Sequence, residues 1–136
     1  MTWPRGFNDW SDYDDVAEAH RVVEAELGAR VAPAALAFEL ARAERPEFEV
    51  MDADKIHATW EGAYLAAATV YATLFDRSPE GLPYTFGVSE ADAAFLQRIA
   101  WQAVTEWREG ATAIEEEAPG LFEADGAVQV VPLEEP

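Results

Sequence analysis

The sequence predicts an α/β fold, helix-rich with two or three short parallel strands. Three observations carry this. Apolar residues recur at helical spacing behind hydroxyl-plus-acid start signals. Short β-prone stretches, around 29–33 and 48–51, alternate with those helices. Such alternation marks a parallel sheet with helices packed on it. Two or three short strands are few for such a sheet, so the chain is either mostly helical or part of something larger.

The first helix is expected from about Asp12 to Leu27. Ser11-Asp12-Tyr13-Asp14 offers a hydroxyl cap with an acid three residues on. Tyr13, Val16, His20, Val23 and Leu27 then form one stripe, and Gly28 sits where a left-handed C-terminal cap belongs. Ala29–Pro33 reads as a strand terminus. Pro33 suits a first helical turn, so a second helix is expected from about Ala34 to Glu44, ended by Pro46. Phe48–Met51 reads as another short strand, followed by the polar loop Asp52–Ala58. Thr59 caps a third helix reaching about Phe75, with Trp60, Tyr64, Tyr71 and Phe75 along one side. Its small face, Gly62, Ala63, Ala66 and Ala67, suits close packing on a sheet. Residues 77–83 are turn-rich. Ser89-Glu90-Ala91-Asp92 is a second capping box, opening a helix to about Glu109 with Leu96, Ala100, Ala103 and Trp107 on one face. Gly110 is read as its end. Residues 111–136 are expected to be an acidic tail, in which Asp125-Gly126 between apolar runs is a hairpin signal.

Length and composition fit one domain with a genuine core: 136 residues, of which 50% are hydrophobic. No apolar run approaches a membrane span, and the N-terminus lacks a signal peptide, so a cytoplasmic location is expected. The absence of Cys excludes disulfides, thiolate zinc sites and Cys nucleophiles. Asp plus Glu is 27 against 9 Lys plus Arg, a net charge of −18, and Lys55 is the sole Lys. Phosphate backbones and anionic lipid repel such a chain, so neither nucleic acid nor membrane is an expected partner. The acidity itself has three readings: a soluble acid-faced domain, adaptation to high salt, or a module for a basic partner.

The polar loop is the candidate site. Asp54 and His57 form Asp-x-x-His on a turn between a short extended segment and a helix. A carboxylate there can accept from the imidazole Nδ1–H, fix the tautomer and leave Nε2 as a general base. On spacing alone, a solvated loop acid beside a structural His is the better explanation of the pair. No metal is expected. A metal site needs three or four ligands, His20 and His57 are far apart, and Asp52, Asp54 and His57 are the one set that could gather a hard cation. His20 lies on the first helix's apolar stripe and reads as a core residue. Ser11 and Ser89 read as helix caps and Ser78 as a turn residue. None lies in a Gly-x-Ser-x-Gly or Gly-Asp-Ser setting. The five Trp read as core and rim. Those left exposed would favour self-association or a partner.

The stretch from Met51 to Ala67 resembles the last conserved block of SGNH (GDSL-type) ester hydrolases, Asp-x-x-His-Pro-Ser-x-x-Gly-x-Tyr-Leu-x-Ala. Asp54, His57, Gly62, Tyr64, Leu65 and Ala67 match in register. Residues 70–75, 77–82 and 93–101 are similar to one bacterial branch of that family, and Met1–Trp3 and Val31–Pro33 resemble its strand ends. The resemblance spans about Met1 to Trp107. Two departures stand out. Ala58-Thr59 replaces Pro-Ser, and the Gly-Asp-Ser nucleophile block with its oxyanion Gly and Asn has no counterpart.

The resemblance implies the C-terminal part of a flavodoxin-like three-layer SGNH domain over residues 1–110. It implies that Asp54 and His57 are two members of a Ser-His-Asp triad, and that the activity is carboxylic-ester hydrolysis, often carbohydrate deacetylation, without a cofactor. An ester substrate is then expected only where the missing half supplies the serine, and the chain alone should be inactive. The alternative is an acidic helical interaction module that binds a protein partner without catalysis.

Overall fold

The computed structural model describes residues 1–2 and 13–117. They form four helices in the order α1 (Tyr13–Leu27), α2 (Ala34–Glu44), α3 (Trp60–Phe75) and α4 (Glu90–Glu117). Among the described residues there is no sheet. The one β-type pairing is an isolated antiparallel bridge between Met51 and Ala58. The expected α/β fold with parallel strands, and the three-layer flavodoxin-like architecture with it, is therefore corrected: the described chain is all-α.

The two stretches read as strands find partners of another kind. In 29–33, the Val31 N–H donates to a Glu24 carboxylate oxygen (3.1 Å) and the Ala32 carbonyl accepts from Thr2 N–H (3.0 Å). In 48–51, the Val50 carbonyl accepts from Thr59 N–H (3.2 Å), a partner only nine positions on. These bonds, to Thr2, Glu24 and Thr59, occupy backbone groups that a strand ladder would otherwise use.

The core is a three-helix arrangement in which α2, α3 and α4 pack on one another. α4 buries Leu96, Ile99, Ala100 and Ala103 completely, an i, i+3, i+4, i+7 face, with Val104 and Trp107 continuing it. α2 presents Ala34, Ala37 and Ala41, whose small side chains bring its backbone close, and fully buries Phe38 between them. Leu65, Ala68 and Ala72 complete the core from α3. Burying a side chain the size of Phe38 or Leu65 contributes roughly 1.5–3 kcal/mol. Of the small face expected on α3, Gly62 and Ala66 are buried, Gly62 against Val50 and Phe38, while Ala63 is half-buried and Ala67 is exposed.

Local signals explain most helix ends. Thr59 caps α3 by accepting from Gly62 N–H (3.1 Å). Ser89 caps α4 by accepting from Asp92 N–H (3.2 Å), and its hydroxyl donates to the Asp92 carboxylate (2.6 Å). α2 has no cap of its own at Pro33. Thr2 serves instead, its hydroxyl accepting from Ala35 N–H (3.0 Å). Pro46 forces Arg45 out of the helical region and stops α2.

Two expectations about helices change. α4 runs straight through Gly110 to Glu117. A Cβ at 110 would meet the Arg21 guanidinium at 2.8 Å, so this glycine makes room for a neighbour rather than ending a helix. α1 buries none of its residues, and Val23 and Leu27 of its stripe are exposed. Polar contacts hold it instead: Trp107 Nε1–H donates to Glu24 (2.9 Å), and the Arg21 guanidinium lies 4.0 Å over the Trp107 ring. His20 accordingly is not a core residue; its Nδ1 bonds the Val16 carbonyl of its own helix (2.8 Å). The Ser11 cap and the 125–126 hairpin signal lie outside the described residues.

Candidate active site

Residues 50–59 form a loop closed at its neck and open at its tip. At the neck, Thr59 N–H donates to Val50 O (3.2 Å), Thr59 Oγ1 donates to Glu49 O (2.9 Å), and Asp52 N–H donates to His57 O (2.8 Å). At the tip, Lys55 N–H returns to Asp52 O (2.8 Å), which turns the chain with Lys55 in the left-handed region at φ 56°. A non-glycine residue there carries a local cost of order 1–2 kcal/mol, held by the closed neck.

Within the tip the structure brings Asp54 and His57 together. One Asp54 oxygen accepts from the backbone N–H groups of Ile56 (2.9 Å) and His57 (3.0 Å). The other accepts from His57 Nδ1 at 2.6 Å. The His57 hydrogen bond, then the two backbone donors, hold the Asp54 carboxyl down at about 2. The same hydrogen bond, followed by the charge of Asp54, raises His57 above its usual 6.5. An ionised carboxylate only accepts, so the proton of neutral His57 sits on Nδ1 and the lone pair on Nε2. Nε2 has no hydrogen-bond partner among the described residues, and the ring is 76% exposed. The pair is a base already oriented and still open to water.

The serines do not join it. Ser78 Oγ bonds Glu80 and Ser89 Oγ bonds Asp92, as a turn residue and a cap. Ser11 lies outside the described residues. Among the described residues no group of three His, Asp or Glu side chains is placed to hold a metal ion.

Sequence reasoning missed the surroundings of the pair. Trp60, the first residue of α3, packs its ring against Phe86 (centroids 5.1 Å apart), and Phe86 packs on Tyr84 (6.3 Å). All three stay exposed, at 69%, 43% and 74%. Phe86 takes φ 57°, a left-handed conformation that bulky side chains rarely adopt. Beside Trp60 lies a hollow of about 530 Å³ lined by Asp52, Ala58, Thr59, Trp60, Glu61 and Ala63. Arg42 and Lys55 line a second pocket of about 330 Å³ with Phe48, Met51 and Asp52, the last of which also lines the hollow beside Trp60. A buried polar network anchors the aromatic loop: Gln97 Nε2 donates to Tyr64 Oη (2.7 Å) and Leu82 O (3.0 Å), its Oε1 accepts from Gly81 N–H (2.9 Å), and Tyr64 Oη donates to Tyr84 O (3.2 Å). The turn-rich run before Ser89 was the only signal for this loop; nothing in it marks Phe86 as left-handed.

Compared with known proteins, the chain matches no family model, no curated sequence and no solved structure. The resemblance to SGNH hydrolases therefore rests on the residues quoted above. Among the described residues no helix is long and apolar enough to cross a membrane.

Proposed function

We propose that the chain supplies the acid–base pair, Asp54 and His57, of a Ser-His-Asp carboxylic-ester hydrolase site of the SGNH kind, whose serine and oxyanion donors lie outside the described residues. One observation carries the reading: Asp54 holds His57 Nδ1 at 2.6 Å while Nε2 has no partner among the described residues. The match of Asp54, His57, Gly62, Tyr64 and Leu65 to the family's block supports it.

In the completed site, His57 Nε2 takes the serine O–H proton as the serine oxygen bonds to the acyl carbon. The resulting imidazolium is stabilised by Asp54. It returns the proton to the leaving alkoxide as the ester C–O bond breaks. Water then follows the same route to release the acid.

A fluorophosphonate, which bonds covalently only to a base-activated serine, tests this. Extract from the source is labelled, and every species containing residues of this chain is isolated and its labelled serine mapped. Label that disappears in His57→Gln is expected. Absence of label in every such species overturns the reading. The isolated 136-residue chain should hydrolyse p-nitrophenyl acetate only at background.

A second reading, the non-catalytic interaction module, is favoured by α1, which leaves Val22, Val23 and Leu27 exposed and has no fully buried residue. It predicts that a protein partner binds equally well to the chain and to its Asp54→Asn and His57→Gln variants.

A further inference from the structure

We propose that one face of α1 is a docking groove for a basic amphipathic helix of a protein partner. The proposal rests on the interaction-module reading above and gives it a site and a partner chemistry.

The groove follows from helix geometry. Residues four apart form ridges along a helix, and the side chains of a second helix seat between two such ridges. On α1, Asp14, Glu18, Val22 and Glu26 form one ridge, and Ala17, Arg21 and Ala25 form the next. Together they line a hollow of about 740 Å³. Ala17 and Ala25 keep the second ridge low, so another helix backbone can come close. Val22 stands between Glu18 and Glu26 on the first ridge and is 49% exposed. The contact that fixes α1 on Trp107 is made by Glu24 and Arg21. None of the four residues of the first ridge takes part in it.

Charge selects the occupant. The groove is lined by three carboxylates, Asp14, Glu18 and Glu26, and one cation, Arg21. That cation is turned onto α4: its Nη1 donates to the Trp107 carbonyl (3.2 Å), and its guanidinium lies 4.0 Å over the Trp107 ring. Asp14 and Glu18 are like charges one turn apart, an arrangement that weakens a helix and that an opposing cation reverses. A second copy of the chain would set the same carboxylates against one another. Residues 118–136 offer Leu121, Phe122 and Val128, but they carry four acids, Glu123, Asp125, Glu134 and Glu135, and no base. Residues 3–12 set Arg5 against Asp9 and Asp12. A partner helix with an apolar stripe for Val22 and the alanines, and Lys or Arg beside it for the carboxylates, matches both the groove and its rim. The net charge of −18 steers such a partner toward the chain.

The experiment titrates the ¹⁵N-labelled full chain with a synthetic peptide of about 18 residues, leucine along one helical stripe and lysine elsewhere. The buffer holds about 0.15 M NaCl, so that unspecific attraction is screened. Saturable amide shifts centred on residues 14–26 are expected. The same peptide with serine for leucine keeps the charge and should bind about ten-fold more weakly. Glu18, Val22 and Glu26 are exposed, so their variants keep the fold. Glu18→Lys with Glu26→Lys should cost about ten-fold, and Val22→Ser about five-fold. His57→Gln should leave binding intact, which separates this face from the proposed triad. Equal binding of the leucine and serine peptides would overturn the proposal, since charge alone would then suffice. So would equal binding by the parent chain and the double Lys variant, or the absence of any shift. Shifts that map to another face would overturn the α1 site while leaving the interaction-module reading in place.

Discussion

The carbonyl oxygen of Val50 lies 1.9 Å from the point where a Cβ on Gly62 would stand, and Phe38 Cε1 lies 3.1 Å from the same point. The first turn of α3 and the neck of the 50–59 loop are therefore in backbone contact, and only a residue without a side chain fits between them. Gly62→Ala should destabilise the chain by about 1–3 kcal/mol net, even though alanine is the better helix former by about 1 kcal/mol. Thermal unfolding measures the loss. A stabilised variant would show that the neck yields freely.

Thr59 carries two bonds across the same neck, accepting from Gly62 N–H and donating to Glu49 O. Thr59→Ala removes both and should cost about 1–2 kcal/mol. Thr59→Ser keeps both and should cost much less. The contrast between the two, read in denaturant midpoints, tests the cap and not merely the side chain's bulk.

Asp54→Asn keeps an oxygen for the backbone N–H groups of Ile56 and His57 but turns a donor toward Nδ1. The proton of neutral His57 should move to Nε2, and its pKa should fall toward 6.5. Ring ¹⁵N shifts and a proton NMR titration read both effects. An unchanged tautomer would show that the 2.6 Å bond does not orient the ring.

The same pair sets a pH window for stability. Folding lowers Asp54 from 3.8 to about 2 and raises His57 above 6.5. The Asp54 contribution is present above 3.8 and fades as pH falls toward 2. The His57 contribution is present below 6.5 and fades as pH rises through its raised folded value. The midpoint difference between the parent chain and Asp54→Ala should be larger at about pH 5 than at about pH 9. The reverse order would exclude the ion pair as its source.

Gln97 is buried and satisfies Gly81 N–H, Leu82 O and Tyr64 Oη at once. Gln97→Leu conserves volume but strands those groups, at a cost of about 2–3 kcal/mol. Proteolysis between 79 and 88 should quicken by more than the global loss accounts for. Uniform quickening along the chain would argue against a local anchor.

Much of this was legible in advance. Pro33, Pro46, Thr59 and Ser89 are local signals, and α2, α3 and the start of α4 fall where they point. The Asp54–His57 contact is one that a three-residue interval on a turn allows, but spacing alone favoured a solvated acid beside a structural His, and the pair was singled out by the block it resembles. The sheet was misread because β-prone composition in four or five residues says nothing about a partner strand, and here Thr2, Glu24 and Thr59 satisfy those backbones. The α1 stripe was misread because periodicity shows that a helix has an apolar side, not that anything covers it. Gly110 misled because a glycine that admits Arg21 looks, in one dimension, like a glycine that ends a helix. Phe86 could not be foreseen, since its backbone state runs against its residue type.

The bond from Tyr64 to the Tyr84 carbonyl has one more consequence. Trp60 and Tyr64 are one turn apart on α3, so the two ends of the aromatic patch are both measured from that helix. His57 is tied to it as well, through Thr59. Positional error in the patch and in the imidazole thus shares a common origin. Movement of α3 would therefore carry both loops with it, through Thr59 on one side and Tyr64 on the other.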